Sequence, residues 1–170
     1  LEEAIATEGI SDGRARITFT DNSSSELWPY GGEEQPGLSF LIRALRPISD
    51  NFRLTVSPYI INSLSPLAGI KSCNYLDKLL ALDEAKARGF DEAIQVNERD
   101  EVVSATMANV FWLKDNSLYT PSLKTGCLPG TTREFVIENL DCHEVEDTID
   151  KMHSADAIFL TSAGLDVVQV

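Results

Sequence analysis

One strongly helical run, residues 75–88, stands between two stretches of β-pattern, and that placement limits the folds open to the chain. Asn74 is placed to cap its start, Leu76, Leu79 and Leu80 form an apolar stripe, and Gly89 follows as a stop. Ahead of it, residues 14–20 alternate like a half-buried strand. Residues 21–37, with three serines, three glycines and two prolines, read as a linker. Residues 38–45 and 52–61 are β-rich, punctuated by Pro47 and Pro58. Behind the helix, residues 92–96 and 102–113 read as two strands joined by the polar stretch 97–101. A short helix is predicted from just after Gly130 to about Leu140, and a charged one over 147–153. Strands follow over 157–161 and 167–170. Mixed elements in this order predict an α+β fold rather than regular βαβ winding.

The opening ten residues look like the end of a helix, with Leu1, Ala4 and Ile5 on one face and Gly9 at its stop. The strand at 14–20 then has few obvious partners, and a lone strand leaves its backbone groups unpaired. The chain therefore reads as a piece of a longer polypeptide, with more sequence upstream.

Composition bears mainly on partners and location. At 170 residues, 43% apolar and 24% charged, the chain has the make-up of a soluble domain with a real core. No apolar run approaches the roughly 20 residues of a membrane helix. The acidic start LEEAIATEGI lacks the basic and apolar regions of a signal peptide, so a cytoplasmic location is expected. A net charge of −13 argues against nucleic acid as a partner. Cys73, Cys127 and Cys142 form no CxxC pair and read as free thiols. His143 and His153 have no matching ligand cluster, so no metal site is expected.

Three windows carry candidate chemistry. Lys71 sits in Pro66-Leu67-Ala68-Gly69-Ile70-Lys71-Ser72-Cys73-Asn74-Tyr75-Leu76, amid small and apolar residues just before the helix. Burial lowers a lysine's pKa, as a Schiff-base amine requires, although such a window alone more often holds an exposed loop lysine. Leu128-Pro129-Gly130-Thr131-Thr132-Arg133 places glycine and two hydroxyls at a predicted helix start, which suits a phosphate, although such a window alone is more often an ordinary Thr cap. Ala157-Ile158-Phe159-Leu160-Thr161-Ser162-Ala163-Gly164 runs an apolar strand into a small turn, able to present N–H groups to an anion or to be simply a turn.

Taken together, these windows resemble the class IV aminotransferases. The run Gly69-Ile70-Lys71-Ser72-Cys73-Asn74-Tyr75-Leu76 is similar to that family's cofactor-lysine segment. Asp91-Glu92-Ala93-Ile94, Ala108-Asn109-Val110-Phe111, Tyr119-Thr120-Pro121, the Leu128 to Arg133 window and Phe159-Leu160-Thr161-Ser162 match in order and spacing. The family holds branched-chain and D-amino acid aminotransferases and 4-amino-4-deoxychorismate lyases. All are pyridoxal 5′-phosphate (PLP) enzymes of fold type IV, whose large domain is a mixed sheet or pseudo-barrel with flanking helices. The resemblance implies that residues 1–34 are the remnant of an upstream small domain plus linker. Residues 35–170 would be the cofactor-binding large domain, truncated at its C-terminal end.

By resemblance, Lys71 is the catalytic lysine, joined covalently to PLP and moving the substrate's Cα proton. Tyr75 stands where a tyrosine bonds the cofactor's phenolic oxygen, and Leu128 where a side chain packs on the ring. Gly130, Thr131 and Thr132 would seat the phosphate, helped by the Ser162–Ala163 turn. Ala163 departs from the threonine frequent in aminotransferases and is closer to some of the lyases. Ser104 stands where the family has a glutamate that keeps the pyridine nitrogen protonated, so this ring would be a weaker electron sink. The missing small domain would supply a phosphate-binding arginine. The implied function is a PLP-dependent aminotransferase acting on a small amino acid, as a homodimer. The alternatives are an aminodeoxychorismate lyase, which eliminates pyruvate from an amino-chorismate, and a degenerate, non-catalytic relative.

Overall fold

The computed structural model describes residues 5–7, 9–10, 13–21, 36–45, 48–49, 51–164 and 166–170. They divide into two units, Leu1–Pro47 and Ile48–Val170. In the first, β1 (Gly13–Asp21) pairs antiparallel with β2 (Pro36–Ala44) along its whole length, from Gly13 opposite Ala44 to Asp21 opposite Pro36. The strand expected to lack a partner therefore has one. It comes from residues 38–45, which the sequence pattern had placed in a later β-rich block. Of the expected linker, Asp21, Pro36 and Gly37 belong to these strands, and residues 22–35 lie outside the described residues. Half of the expected helix end at 1–10 also lies outside them; residues 5–7 are helical.

In the second unit, β3 (Leu54–Val56), β4 (Glu92–Val96) and β5 (Val102–Ala105) form a sheet in that order, parallel then antiparallel. A second sheet is ordered β10-β9-β6-β7-β8. Its strands are β6 (Asn109–Lys114), β7 (Ser117–Pro121), β8 (Cys142–Val145), β9 (Ala157–Ser162) and β10 (Asp166–Gln169), antiparallel except for the β7–β8 pair. Helices α1 (Leu76–Ala87), α2 (Thr131–Asn139) and α3 (Ile149–His153) complete an α+β architecture. Ile94, Val102 and Ala105 of one sheet, Val110, Trp112 and Leu160 of the other, and Met152 of α3 pack into one core.

The single strand expected over 102–113 is two strands in different sheets. Glu92 causes the break. Its buried carboxylate accepts from the backbone N–H of Thr106 (3.1 Å) and Met107 (3.3 Å) and from the Thr106 hydroxyl, while Ala105 N–H bonds Ala108 O at 2.9 Å. A chain held this way turns out of the first sheet and enters the second. Of the β-rich stretch 52–61, only Leu54–Val56 is strand, with Ile61 bridging to Asn97.

Helix α1 also departs from its expected face. Leu76, Leu79 and Leu80 are exposed, and the buried residues are Ala81 and Ala85, whose small side chains allow close packing on β4. Asn74 does not cap the helix; Tyr75 holds the cap position, without a side-chain cap bond. Gly89 does end the turn, with φ +85° and its N–H on Lys86 O, a conformation that other residues adopt at a cost.

Candidate active site

Between β3 and α1 the chain runs through tight turns. Ala68 N–H bonds Ser65 O at 2.9 Å, Gly69 N–H bonds Gly126 O at 3.1 Å and Ile70 N–H bonds Leu67 O at 3.1 Å. These bonds deliver Lys71 to a cleft that it lines together with Tyr75, Lys78, Ser104 and Leu128. Ser104 and Leu128, 33 and 57 positions after Lys71 in sequence, thus meet it at one place. Lys71 Nζ donates to Tyr75 Oη and lies 5.1 Å from the centre of that ring. The lysine side chain is exposed, not buried as its apolar sequence setting suggested. The small residues around it shape the backbone turns instead.

Lys78 is the cleft residue that the sequence reading missed. It stands three residues after Tyr75 at the start of α1, so the two side chains share a helix face, and that spacing is the signal that would have found it. Half-burial lowers the Lys78 pKa. Tyr75 opposes that shift, the positive charge of Lys71 adds to it, and Glu92 opposes it.

Ser104 reaches the cleft from β5 and is 5% exposed. Its partner across the β4–β5 ladder is Gln95. Leu128 lines the cleft, and its backbone oxygen accepts from Asn109 Nδ2 at 2.8 Å and from Gly130 N–H at 2.9 Å. Lys71, Tyr75, Ser104 and Leu128 are therefore gathered into one place.

Gly130, Thr131, Thr132, Ser162 and Ala163 stand outside that cleft lining. Asn109 adjoins the two segments that carry them, at Gly130 and at Thr161. Gly130 is the N-cap of α2 and brings no side-chain cap bond, so the ordinary Thr-capped start is not what forms. The first intrahelical bond runs from Glu134 N–H to Gly130 O at 2.9 Å, which leaves the preceding N–H groups without an intrahelical acceptor. Asn109 Oδ1 lies 2.2 Å from where a Cβ at residue 130 would stand, so any side chain there would have to displace Asn109. Asn109 is also paired with Thr161, one residue before Ser162 at the end of β9. Ser162 Oγ accepts from Gly164 N–H at 3.2 Å.

Arg133 is engaged with other groups. It is 5% exposed, and its Nη2 donates to Pro121 O at 2.9 Å and to the Glu144 carboxylate. Among the described residues, no group of three or more His, Cys, Asp or Glu side chains is gathered to hold a metal. His143 lies beside the Tyr119 ring, with centroids 5.4 Å apart. No described helix is long and apolar enough to cross a membrane.

A family model described as amino-transferase class IV matches residues 1–170. The chain belongs to that family. It is 27% identical over 177 aligned positions to an aminodeoxychorismate lyase of Bacillus subtilis (strain 168), covering 99% of this chain and 60% of that protein. It is 33% identical over 115 positions to a putative branched-chain-amino-acid aminotransferase of Methanocaldococcus jannaschii, covering 65% of this chain and 39% of the relative. A crystal structure of a putative 4-amino-4-deoxychorismate lyase from Legionella pneumophila superposes with a TM-score of 0.84 at 28% identity, covering 99% of this chain and 64% of that one. The chain thus spans less than two thirds of each of these class IV relatives.

Proposed function

We propose that this chain is the cofactor-holding part of a PLP-dependent aminotransferase acting on a small amino acid. The observation that carries the reading is the cleft itself. One lysine amine, bonded to a tyrosine hydroxyl, shares it with a buried serine hydroxyl and an apolar leucine wall. These groups fit the cofactor: an amine for its aldehyde, a hydroxyl for its phenolic oxygen, a polar contact for its ring nitrogen and an apolar side chain for its ring face. The uncapped start of α2 fits an anion. Asn109 ties the two places together, holding Leu128 O through Nδ2 and abutting Gly130 through Oδ1.

When bound, PLP supplies an electron sink for negative charge at a substrate's Cα. Lys71 holds the cofactor and moves the Cα proton. Tyr75 orients the lysine through its hydroxyl, and Leu128 fixes the ring plane. Thr131, Thr132 and the Ser162–Ala163 turn hold the phosphate. Burial, and after it the Lys71 charge, lower the Lys78 pKa beside this amine.

A second reading, an aminodeoxychorismate lyase, is supported by Ala163 and by the B. subtilis and L. pneumophila lyases that align over 99% of the chain. The same site serves both, since both begin with charge at Cα. The proposal extends to a homodimer, which the exposed Leu76, Leu79 and Leu80 face of α1 supports. It extends also to a cytoplasmic setting, which the free Cys73, Cys127 and Cys142 support.

The test uses the full-length protein with PLP. A visible band that shifts on adding an amino donor, and a borohydride-trapped adduct on Lys71, are expected. Amino transfer to a keto acid without pyruvate release selects the aminotransferase, and pyruvate release from aminodeoxychorismate selects the lyase. An adduct on Lys78 or Lys86 would sink the site assignment, and absence of any band would leave the non-catalytic relative.

A further inference from the structure

Behind the cleft, the sheet buries a polar side chain with an unmatched acceptor. Gln95 on β4 is 1% exposed, and its Oε1 is fully buried without a hydrogen-bond partner. Its cross-strand partner is Ser104, which lines the cleft. Partners in an antiparallel ladder project from the same face, with Cβ atoms roughly 4.5–5.5 Å apart, within reach of a glutamine amide. A buried acceptor left unpaired is unfavourable, so an arrangement that supplies its donor has a ready driving force.

The charges around Ser104 sharpen the point. Among the described residues lining the cleft, the titratable groups are Lys71, Tyr75 and Lys78, and none is a carboxylate. Three carboxylates of β4 and the connection that follows it are engaged elsewhere. Glu92 is held by Ala93, Thr106 and Met107, Glu98 by Ser63 and Arg99, and Glu101 by Arg99 and Asn97. A ring nitrogen placed at Ser104 therefore meets no carboxylate among the residues that line the cleft.

We infer that Gln95 is a positioning residue acting through Ser104: Ser104 Oγ accepts from the protonated ring nitrogen of PLP and gives its own hydroxyl hydrogen to Gln95 Oε1. The inference rests on the proposed function, with Ser104 facing the nitrogen. The relay satisfies the orphan acceptor. It also makes the serine oxygen a better acceptor, because a hydroxyl that donates is polarised towards accepting. Neutral acceptors hold a cationic N–H less firmly than a carboxylate does. The ring nitrogen is thus more basic than in a site without the relay, and less basic than opposite a glutamate.

The experiment follows the 15N resonance of ring-labelled PLP against pH in the full-length protein, for wild type, Gln95→Leu, Ser104→Ala, the double variant and Gln95→Glu. Gln95→Leu is expected to lower the nitrogen's apparent pKa, Ser104→Ala to lower it as far, and the double variant no further. Gln95→Glu is expected to raise it above wild type. In the cofactor-free protein, Gln95→Leu is expected to be at least as stable as wild type, since it removes an unpaired oxygen. A resonance unchanged by Gln95→Leu, with PLP trapped on Lys71, overturns the relay and leaves the proposed function standing. So does a Gln95→Leu effect that persists undiminished in the Ser104→Ala background, or a clear loss of stability in the cofactor-free variant. A resonance at the position of free PLP, with no adduct on Lys71, overturns the proposed function and the relay together.

Discussion

Gly130 shows how one missing side chain joins two parts of the site. A Cβ there would stand 2.2 Å from Asn109 Oδ1, and the amide of Asn109 also holds Leu128 O. Gly130→Ala must push Asn109 aside, at about 1–3 kcal/mol for overpacking of this kind. The expected outcome is a lower melting temperature together with weaker PLP binding, measured by thermal unfolding with and without the cofactor. Lys71, Tyr75 and Leu128, which the resemblance of their local runs to the family singled out, do meet in one cleft, and Gly130 stands outside it. Lys78 and Gln95 were not legible, because they join the site only through a helix start and a strand register. Ser104 was legible as a departure, yet its burial beside a glutamine with an unpaired oxygen was not.

At the scale of elements, helix α1 was placed correctly and faced wrongly. Its leucines outweigh its alanines in any apolar stripe, but the sheet accepts the helix only where Ala81 and Ala85 let the two backbones approach. Ala81→Leu is expected to destabilise the protein by about 1–3 kcal/mol, whereas Leu79→Ser on the exposed face should stay within about 0.5 kcal/mol in the monomer. Chemical denaturation of the two variants checks the contrast. The β4–β5 connection was likewise legible as a polar turn, but its ion pairs were not. Hydrogen bonds from the Ser63 hydroxyl and backbone lower the Glu98 carboxyl to about 2, and Arg99 also bridges it to Glu101. A folded pKa below the ordinary carboxylate value of about 4.3 stabilises the fold above that value. The contribution is then lost as pH falls from there towards about 2. Glu98→Gln is therefore expected to flatten the acid limb of the stability profile over that window, read from melting temperatures at successive pH values.

Over the whole molecule, cofactor affinity depends on how much of the phosphate site this chain contains. The chain covers 60% of the B. subtilis lyase and 64% of the L. pneumophila chain. The anion seat proposed for it is the start of α2 with the hydroxyls of Thr131 and Thr132, and the turn after Ser162. Arg133, the guanidinium adjacent in sequence, donates to Pro121 O and to the Glu144 carboxylate instead. Phosphate held here rests on neutral donors and the helix dipole, while a charge-assisted pair is worth about 1.5–3 kcal/mol more. That difference corresponds to roughly ten- to a hundred-and-fifty-fold in affinity. Residues 1–170 alone are expected to bind PLP more weakly than the full-length protein by that factor, in parallel titrations followed by absorbance. The deficit should shrink for pyridoxal, which lacks the phosphate. Equal PLP affinities would show that the phosphate seat is complete within these residues, and an undiminished deficit with pyridoxal would locate the loss at the ring instead.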